Sequence, residues 1–183
     1  RNITVVFIIP CIFRLVAILH ELQLLRPDKK FSPLEAKLLD LALVLHAEHG
    51  GGNNSTFTTH VLSSTGTDTY SAVAASLGSL KGPRHGGANL AVKNQMEKVI
   101  AEIGVDATDN QIREIICRIL DKQFNDNSGL VYGIGHAVYT ISDPRSEILA
   151  EKCKELAEEK NRLDEYDFYN RFASIAIEEI YER

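Results

Sequence analysis

Four of the six histidines lie at or beside glycine-containing segments that separate helical patterns. The segments are HAEHGGGNN with His46 and His49, GPRHGGAN with His85, and YGIGHAVYTISDPR with His136. A histidine can donate or accept a proton near neutral pH, and neighbouring glycines let a ligand approach the backbone closely. At any one of these positions a helix junction with an incidental histidine is the simpler interpretation. As a group they indicate a site assembled from loops on a helical scaffold.

Arg145 adds a cation to this group. It follows Asp143-Pro144, a dipeptide that predicts a helix start, where backbone N–H groups favour anions. A guanidinium presents a planar fork to a carboxylate, although solvated arginines and arginines paired within a helix are more frequent. Taken with the loop histidines, Arg145 predicts a site for a small dianionic or carbonyl substrate.

A metal site is the alternative for His46 and His49, which are three residues apart and could share a helix face. The spacing is not that of an H-E-x-x-H motif, and no cysteine or aspartate cluster completes a ligand set. We therefore predict no metal. His46 is interpreted as a helix residue whose ring fills core space, and His49 as the better ligand candidate.

Composition excludes several classes of protein. The 183 residues are 44% hydrophobic with a net charge of -5, which is typical of a globular domain, and the Lys and Arg residues are scattered, which argues against nucleic-acid binding. Three distant cysteines predict reduced thiols in a cytoplasmic protein. The apolar stretch near the start is interrupted by Pro10 and Arg14, so it does not predict a membrane span.

Helix signals recur along the chain and predict an all-α fold. Capping patterns predict helix starts at Ser32, Asp68, Asn89, Thr108 and Asp143. The helices over 33–48 and 68–81 carry apolar or small residues on several faces, which predicts tight helix contacts or a subunit interface. Only STFTTHVLSSTGT leans towards β structure, and no partner strand is evident.

Two stretches resemble citrate synthase, specifically its bacterial forms. They are LVLHAEHGGGNNSTFTTHVLSSTGTDTYSAVAASLGSLKGPRHGGAN and VYGIGHAVYTISDPR, and the resemblance runs from about residue 31 to 145. It implies an all-α homodimer that condenses acetyl-CoA with oxaloacetate, with no tightly bound cofactor. It also implies that residues 1–84 form part of a large domain and residues 85–183 most of a small domain truncated at its C-terminal end.

The resemblance implies roles for individual residues. His49 and His136 would bind oxaloacetate, with His136 donating to the ketone oxygen, and Arg145 would clamp a carboxylate. His85 would hydrogen-bond the thioester carbonyl of acetyl-CoA and stabilise the developing enol. The catalytic pair is therefore expected to be His85 and His136.

Supporting residues follow from the same resemblance. Asn53 and Ser55 are expected to support the substrate site, with Ser55 holding the ring of His85. The helices at 33–48 and 68–81 would form the dimer contact. The loop that receives the CoA adenine would comprise Val131, Tyr132, Gly133, Ile134, Gly135 and Ala137.

The sequence also departs from the family. The family's catalytic aspartate lies in an N-V-D-F-Y-S-G loop, and Asp167 in EYDFYNRF imitates it but reads as helix interior. The C-terminal arginines of the citrate site have no counterpart, and the abrupt start and end predict a fragment. Three interpretations stay open: a citrate synthase when whole, a truncated non-catalytic binding or dimerisation module, and a methylcitrate synthase that uses propionyl-CoA.

Overall fold

The computed structural model describes residues 30–46, 52–82, 86–135 and 143–183 of the chain. Within these ranges the regular structure is helical, and the all-α prediction is confirmed. The described helices are α1 Pro33–Leu45, α2 Asn54–Ser63, α3 Thr69–Leu80, α4 Gly87–Ile103, α5 Asp109–Leu120, α6 Pro144–Glu159 and α7 Leu163–Glu182. In the described part of the chain, no helix is both long and apolar enough to cross a membrane.

Local capping chemistry sets four of the helix starts. Before α1, the Ser32 hydroxyl accepts from the Glu35 N–H at 3.1 Å, and the Glu35 carboxylate accepts from the Ser32 N–H at 2.6 Å. Thr108 and Gln111 form the same reciprocal pair before α5. The carboxylates of Asp68 and Asp143 cap α3 and α6. Each cap satisfies backbone N–H groups that have no partner within the helix. The four predicted helix starts are therefore confirmed by the side-chain caps found at these positions.

The prediction that Asn89 caps a helix is wrong. α4 begins at Gly87, so Asn89 lies in its first turn, and Gly86 is the capping residue without a side-chain bond. The Gly86 N–H donates to the Leu80 carbonyl at 2.8 Å, and this backbone turn places the start of α4 at Gly87, two residues before Asn89. A Cβ on Gly86 would lie 2.4 Å from that carbonyl oxygen, so the turn requires glycine here.

The segment with β-leaning composition is helical. Residues 54–63 form α2, and the hydroxyls of Thr58 and Thr59 donate to carbonyls four residues earlier. α2 packs against α3, where the Thr59 and Ser76 hydroxyls lie 2.6 Å apart. Packing between neighbouring helices outweighs the weak β propensity of threonine.

The main core lies between α4, α5 and α7. Each helix contributes apolar residues at helical spacing, and the fully buried members include Met96, Val99, Ile112, Ile115, Ile116, Ile119, Phe168 and Phe172. Burying one such side chain stabilises the fold by roughly 1.5–3 kcal/mol. Val131, in the segment after α5, is 7% exposed and joins this core. The core therefore anchors a loop as well as three helices.

Helices α1 and α6 pack antiparallel. At one end the Glu35 carboxylate on α1 accepts at 2.8 Å from the ammonium group of Lys160, the residue that follows α6. Leu38 packs with Leu156 in the middle, and Leu45 at the C-terminal end of α1 packs against the pair Leu149 and Cys153, both nearer than Leu156 to the start of α6. The C-terminus of α1 and the N-terminus of α6 therefore lie at the same end of the pair.

We expect Cys153 to resist thiol reagents in the folded protein. It is 3% exposed between α1 and α6, and burial raises the pKa of its thiol to about 12. Since the thiolate is the reactive form, labelling by an aromatic disulfide at mildly alkaline pH should be negligible until guanidinium is added. Mass spectrometry of the labelled peptides checks this. Native labelling as fast as that of a free peptide thiol would contradict the packing of α1 on α6.

Candidate active site

The end shared by α1 and α6 carries the first group of predicted site residues. α1 ends at Leu45, and His46 caps it, with its ring Nδ1 at 2.7 Å from the Ala42 carbonyl. His46 is exposed, so the prediction that its ring fills core space is wrong; the ring hydrogen-bonds the helix terminus instead. The chain continues from this cap towards His49, which lies outside the described residues.

Arg145 occupies the first turn of α6 and is oriented by Asp143. Its Nε donates to Asp143 Oδ1 at 3.0 Å and its Nη2 to Oδ2 at 2.6 Å. Asp143 is 2% exposed, whereas the Arg145 side chain is 26% exposed. The same carboxylate accepts the Arg145 backbone N–H at 2.9 Å, so one buried anion both caps the helix and fixes the guanidinium plane.

The position of Arg145 suits an anion. A helix N-terminus carries partial positive charge, and the guanidinium, although paired with Asp143, adds planar hydrogen-bond donors that match a carboxylate. Because α1 and α6 are antiparallel, this cation lies at the end of the pair where α1 terminates at His46. A small carboxylate is the chemical class that fits such a cation.

Asn53 and Ser55 contact each other at the start of α2. The Asn53 side-chain oxygen accepts from the Ser55 N–H at 2.9 Å and from the Ser55 hydroxyl at 2.6 Å. Asn53 is thus the cap of α2, a structural role that its sequence position did not suggest. The predicted bond from Ser55 to the ring of His85 involves a residue outside the described part of the chain and stays a prediction.

The α2–α3 hairpin joins this cap to the end of α3. Asn54 Nδ2 donates to the Ser79 carbonyl at 2.9 Å, so the beginning of α2 lies beside the last turn of α3. Beyond α3, the Gly87 N–H donates to the Gly82 carbonyl at 3.2 Å, which holds together the backbone on both sides of residues 83–85. His85 itself lies outside the described residues.

The predicted CoA loop follows α5 and is held against α4. Its glycines Gly133 and Gly135 have φ values of 94° and 93°, which only glycine adopts readily. The Tyr132 hydroxyl donates to Asp126 Oδ2 at 2.6 Å. Hydrogen bonds from Ser128 and Tyr132 lower the pKa of Asp126 to about 2, so this carboxylate stays ionised at neutral pH.

Gln95 on α4 is a loop contact that sequence reasoning missed. It is 0% exposed, and its amide exchanges two hydrogen bonds with the backbone of Tyr132. The available signal was a glutamine within the apolar stripe formed by Val92, Met96 and Val99. A polar residue in such a stripe must find a partner in the fold.

The structure therefore describes part of the predicted site. Arg145, Asn53, Ser55 and the segment 131–135 have described positions, whereas His49, His85, His136 and Ala137 lie outside the described residues. A cavity of about 490 Å³ lies between α4 and the start of α7, lined by residues such as Ile100 and Asp164 and by none of the predicted site residues. Across the described ranges, no His, Cys, Asp or Glu side chains group to hold a metal ion.

Comparison with known proteins gives a consistent set of relatives. The family model for the citrate synthase C-terminal domain matches residues 15–183. The citrate synthase of Deinococcus radiodurans is 38% identical over 148 residues, which are 80% of this chain and 36% of that protein. The citrate synthase of Haloferax volcanii is 40% identical over 144 residues, which are 79% of this chain and 34% of that protein.

A relative with a different printed activity matches as well. The 2-methylcitrate synthase of Shewanella oneidensis is 39% identical over 138 residues, which are 75% of this chain and 33% of that protein. The chain spans about a third of the length of these curated relatives. No solved structure matches.

Proposed function

The chain belongs to the citrate synthase family, and we propose that its residues serve the condensation of acetyl-CoA with oxaloacetate to give citrate and CoA. The observation that carries the proposal is the arrangement of Arg145. The buried Asp143 carboxylate orients this guanidinium at the N-terminus of α6. A guanidinium held in this way can form hydrogen bonds to a carboxylate of a dicarboxylate substrate. Free thiols at Cys117 and Cys153 support a cytoplasmic location as a further proposal.

In the proposed reaction, Arg145 and His49 bind oxaloacetate, and His136 donates a hydrogen bond to its ketone oxygen. The ketone carbon becomes more electrophilic because negative charge on that oxygen is stabilised. His85 donates to the thioester carbonyl of acetyl-CoA and stabilises the enol formed when a base removes a methyl proton. Asp167 lies in the interior of α7 with its side chain exposed, and we assign it no role as that base.

We propose that the segment Val131–Gly135, followed by Ala137, receives the adenine of CoA. Support comes from its backbone, which is irregular, is held to α4 at Tyr132, and carries two positive-φ glycines after that contact. Asn53 and Ser55 then support the substrate site from the start of α2, with Ser55 holding the ring of His85. No metal or resident cofactor enters this proposal.

We also propose the domain division at residues 84 and 85. Under this division α1 belongs to the large domain and α6 to the small one. The contact of Leu38 with Leu156 and the ion pair between Glu35 and Lys160 then cross the domain boundary. The oxaloacetate site would lie at one end of this interdomain contact.

A homodimer through α1 and α3 is proposed from their exposed apolar side chains. Leu43 and Val44 on α1 and Val73 and Leu77 on α3 are between 51% and 64% exposed, and only Ala72 is buried on α3. Such a surface is costly to leave in water. A second copy of the chain is the partner whose matching helices would cover it.

Replacing Leu77 with aspartate is expected to weaken the dimer by about 100-fold or more, because the substitution removes an apolar contact and buries a charge. Sedimentation equilibrium of the complete protein measures the change. Ile148→Asp is the matched control, since Ile148 is an exposed apolar residue on α6 outside the proposed interface. Equal dimer constants for Leu77→Asp and the unaltered protein would contradict the interface.

Oxaloacetate-dependent release of CoA tests the proposed function. The complete protein should release thiol from acetyl-CoA when oxaloacetate is present and much more slowly when it is absent. Preference for propionyl-CoA would instead indicate a methylcitrate synthase, an alternative favoured by the Shewanella oneidensis relative. One methylene is worth about 10–200-fold in kcat/KM, so the preference is measurable. No release from either thioester would leave the non-catalytic module as the interpretation.

A further inference from the structure

Gln95 is a polar side chain inside the main core. It is 0% exposed, and its neighbours Met96 and Val99 on α4 are equally buried. Burying an amide is costly unless its donor and acceptor are both satisfied. Here both requirements are met by one distant residue: Gln95 Nε2 donates to the Tyr132 carbonyl at 3.3 Å, and the Tyr132 N–H donates to Gln95 Oε1 at 3.0 Å.

Together the two hydrogen bonds pair the Gln95 amide with both backbone polar groups of Tyr132, as two residues pair across neighbouring β-strands. Tyr132 belongs to neither a helix nor a strand, so its backbone lacks the regular partners that those elements supply. The glycines on its C-terminal side have positive φ and leave the backbone free to adopt many conformations when unpaired. Gln95 therefore selects one conformation of this segment from many.

A second residue of α4 contacts the connection of residues 121–130, which leads from α5 into the segment 131–135. Lys98, three residues after Gln95 and therefore on the same face of the helix, donates to the carbonyl and side-chain oxygens of Asn125, each at 3.2 Å. The Tyr132 hydroxyl is fixed by Asp126, and Val131 is buried in the core. The chain after α5 is thus held against α4 at two points, Asn125 and Tyr132, and Gln95 makes the second of these contacts.

We propose that Gln95 is a positioning residue for the CoA-binding segment 131–135, which it fixes through the backbone of Tyr132 without touching substrate. This inference rests on the proposed function. The Tyr132 N–H donates to Gln95, so it is not available as a donor to the CoA adenine. The segment 131–135 is therefore already ordered before acetyl-CoA binds, and binding does not have to supply the entropy of ordering it.

Gln95→Met tests the proposal, because methionine has a similar volume and length but neither donates nor accepts these bonds. In the complete protein, the KM for acetyl-CoA should rise about tenfold, as expected for losing buried hydrogen bonds that preorganise a site, while the KM for oxaloacetate changes less than about twofold. In hydrogen-exchange measurements, the Tyr132 amide should be protected in the unaltered protein and exchange faster in the variant.

Val99→Ala is the matched control for a purely structural effect. Val99 is 0% exposed on the same helix, and its truncation destabilises the same core without removing a bond to the loop. A similar rise in the acetyl-CoA KM for both variants at equal loss of thermal stability would overturn the positioning role. So would an unchanged acetyl-CoA KM in Gln95→Met.

Two further measurements keep the test decisive. If Gln95→Met does not fold, Gln95→Asn can be measured instead, because it keeps the amide on a shorter side chain. Its KM for acetyl-CoA should rise by less than tenfold while its KM for oxaloacetate stays nearly unchanged. An unchanged acetyl-CoA KM in this variant would overturn the proposal. If the unaltered protein shows no CoA release, the proposed function fails. Tyr132 amide exchange still reports on the anchor, and rapid exchange in the unaltered protein would overturn the anchor itself.

Discussion

Alanine at His85 or at His136 is expected to lower kcat of the complete protein by two or more orders of magnitude. Each imidazole is proposed to donate to a carbonyl oxygen on which negative charge develops, His85 to the thioester and His136 to the ketone. Removing one preorganised donor of this kind typically costs about 100- to 1000-fold in kcat. Steady-state kinetics with both substrates measures the loss, and circular dichroism and melting temperature verify that the fold is retained.

The backbone around these positions makes the alanine variants informative. The turn beside His85 is held by main-chain bonds from Gly86 to Leu80 and from Gly87 to Gly82, which a side-chain truncation at 85 leaves in place. His60→Ala is the matched control, because His60 is exposed on α2 and has no proposed role. Near-normal turnover in either His85→Ala or His136→Ala would contradict the assignment of the catalytic pair.

Arg145→Met should raise the KM for oxaloacetate and lower kcat/KM by about 100-fold or more, the size expected for truncating one partner of a hydrogen-bonded charge pair. The effect has two sources. The variant loses the proposed clamp on a substrate carboxylate, and it leaves the buried carboxylate of Asp143 without the guanidinium that now neutralises it. We therefore expect lower thermal stability together with the kinetic defect.

Two companion variants separate these effects. Arg145→Met combined with Asp143→Asn removes the stranded charge, so the melting temperature should recover in part while the oxaloacetate KM stays high. Arg171→Met is the matched control, since Arg171 forms an ion pair with Asp109 and has no proposed substrate role. An oxaloacetate KM near that of the unaltered protein in Arg145→Met would contradict the clamp.

Helix starts could be predicted from the sequence because their determinants are local. The Ser32–Glu35 and Thr108–Gln111 pairs and the caps at Asp68 and Asp143 each act within three residues. The prediction that Asn89 caps a helix failed because the start of α4 is not set by a side chain. The turn before α4 is fixed by the Gly86 bond to Leu80, a backbone contact that no side-chain capping pattern reveals.

The candidate site was predicted through motifs, but the contacts that hold Arg145 and Tyr132 in place were not. Arg145 was expected at a helix start, but the hydrogen bond between its guanidinium and the buried Asp143 carboxylate is known only from the structure. Gln95 and Tyr132 are 37 residues apart, and their pairing depends on how α4 packs beside the loop. The antiparallel contact of α1 with α6 joins residues still farther apart in the sequence, and it brings Arg145 to the end of the pair where α1 terminates. Contacts of this kind follow from packing and not from residue spacing.

Product analysis with labelled substrate tests the central claim most directly. The complete protein is incubated with oxaloacetate and acetyl-CoA whose methyl carbon is isotopically labelled, and the products are identified by nuclear magnetic resonance. We predict that the label appears in a methylene carbon of citrate, in an amount equal to the CoA released. Label recovered only as acetate, or retained in acetyl-CoA, would contradict the assignment of a carbon–carbon condensation to this chain.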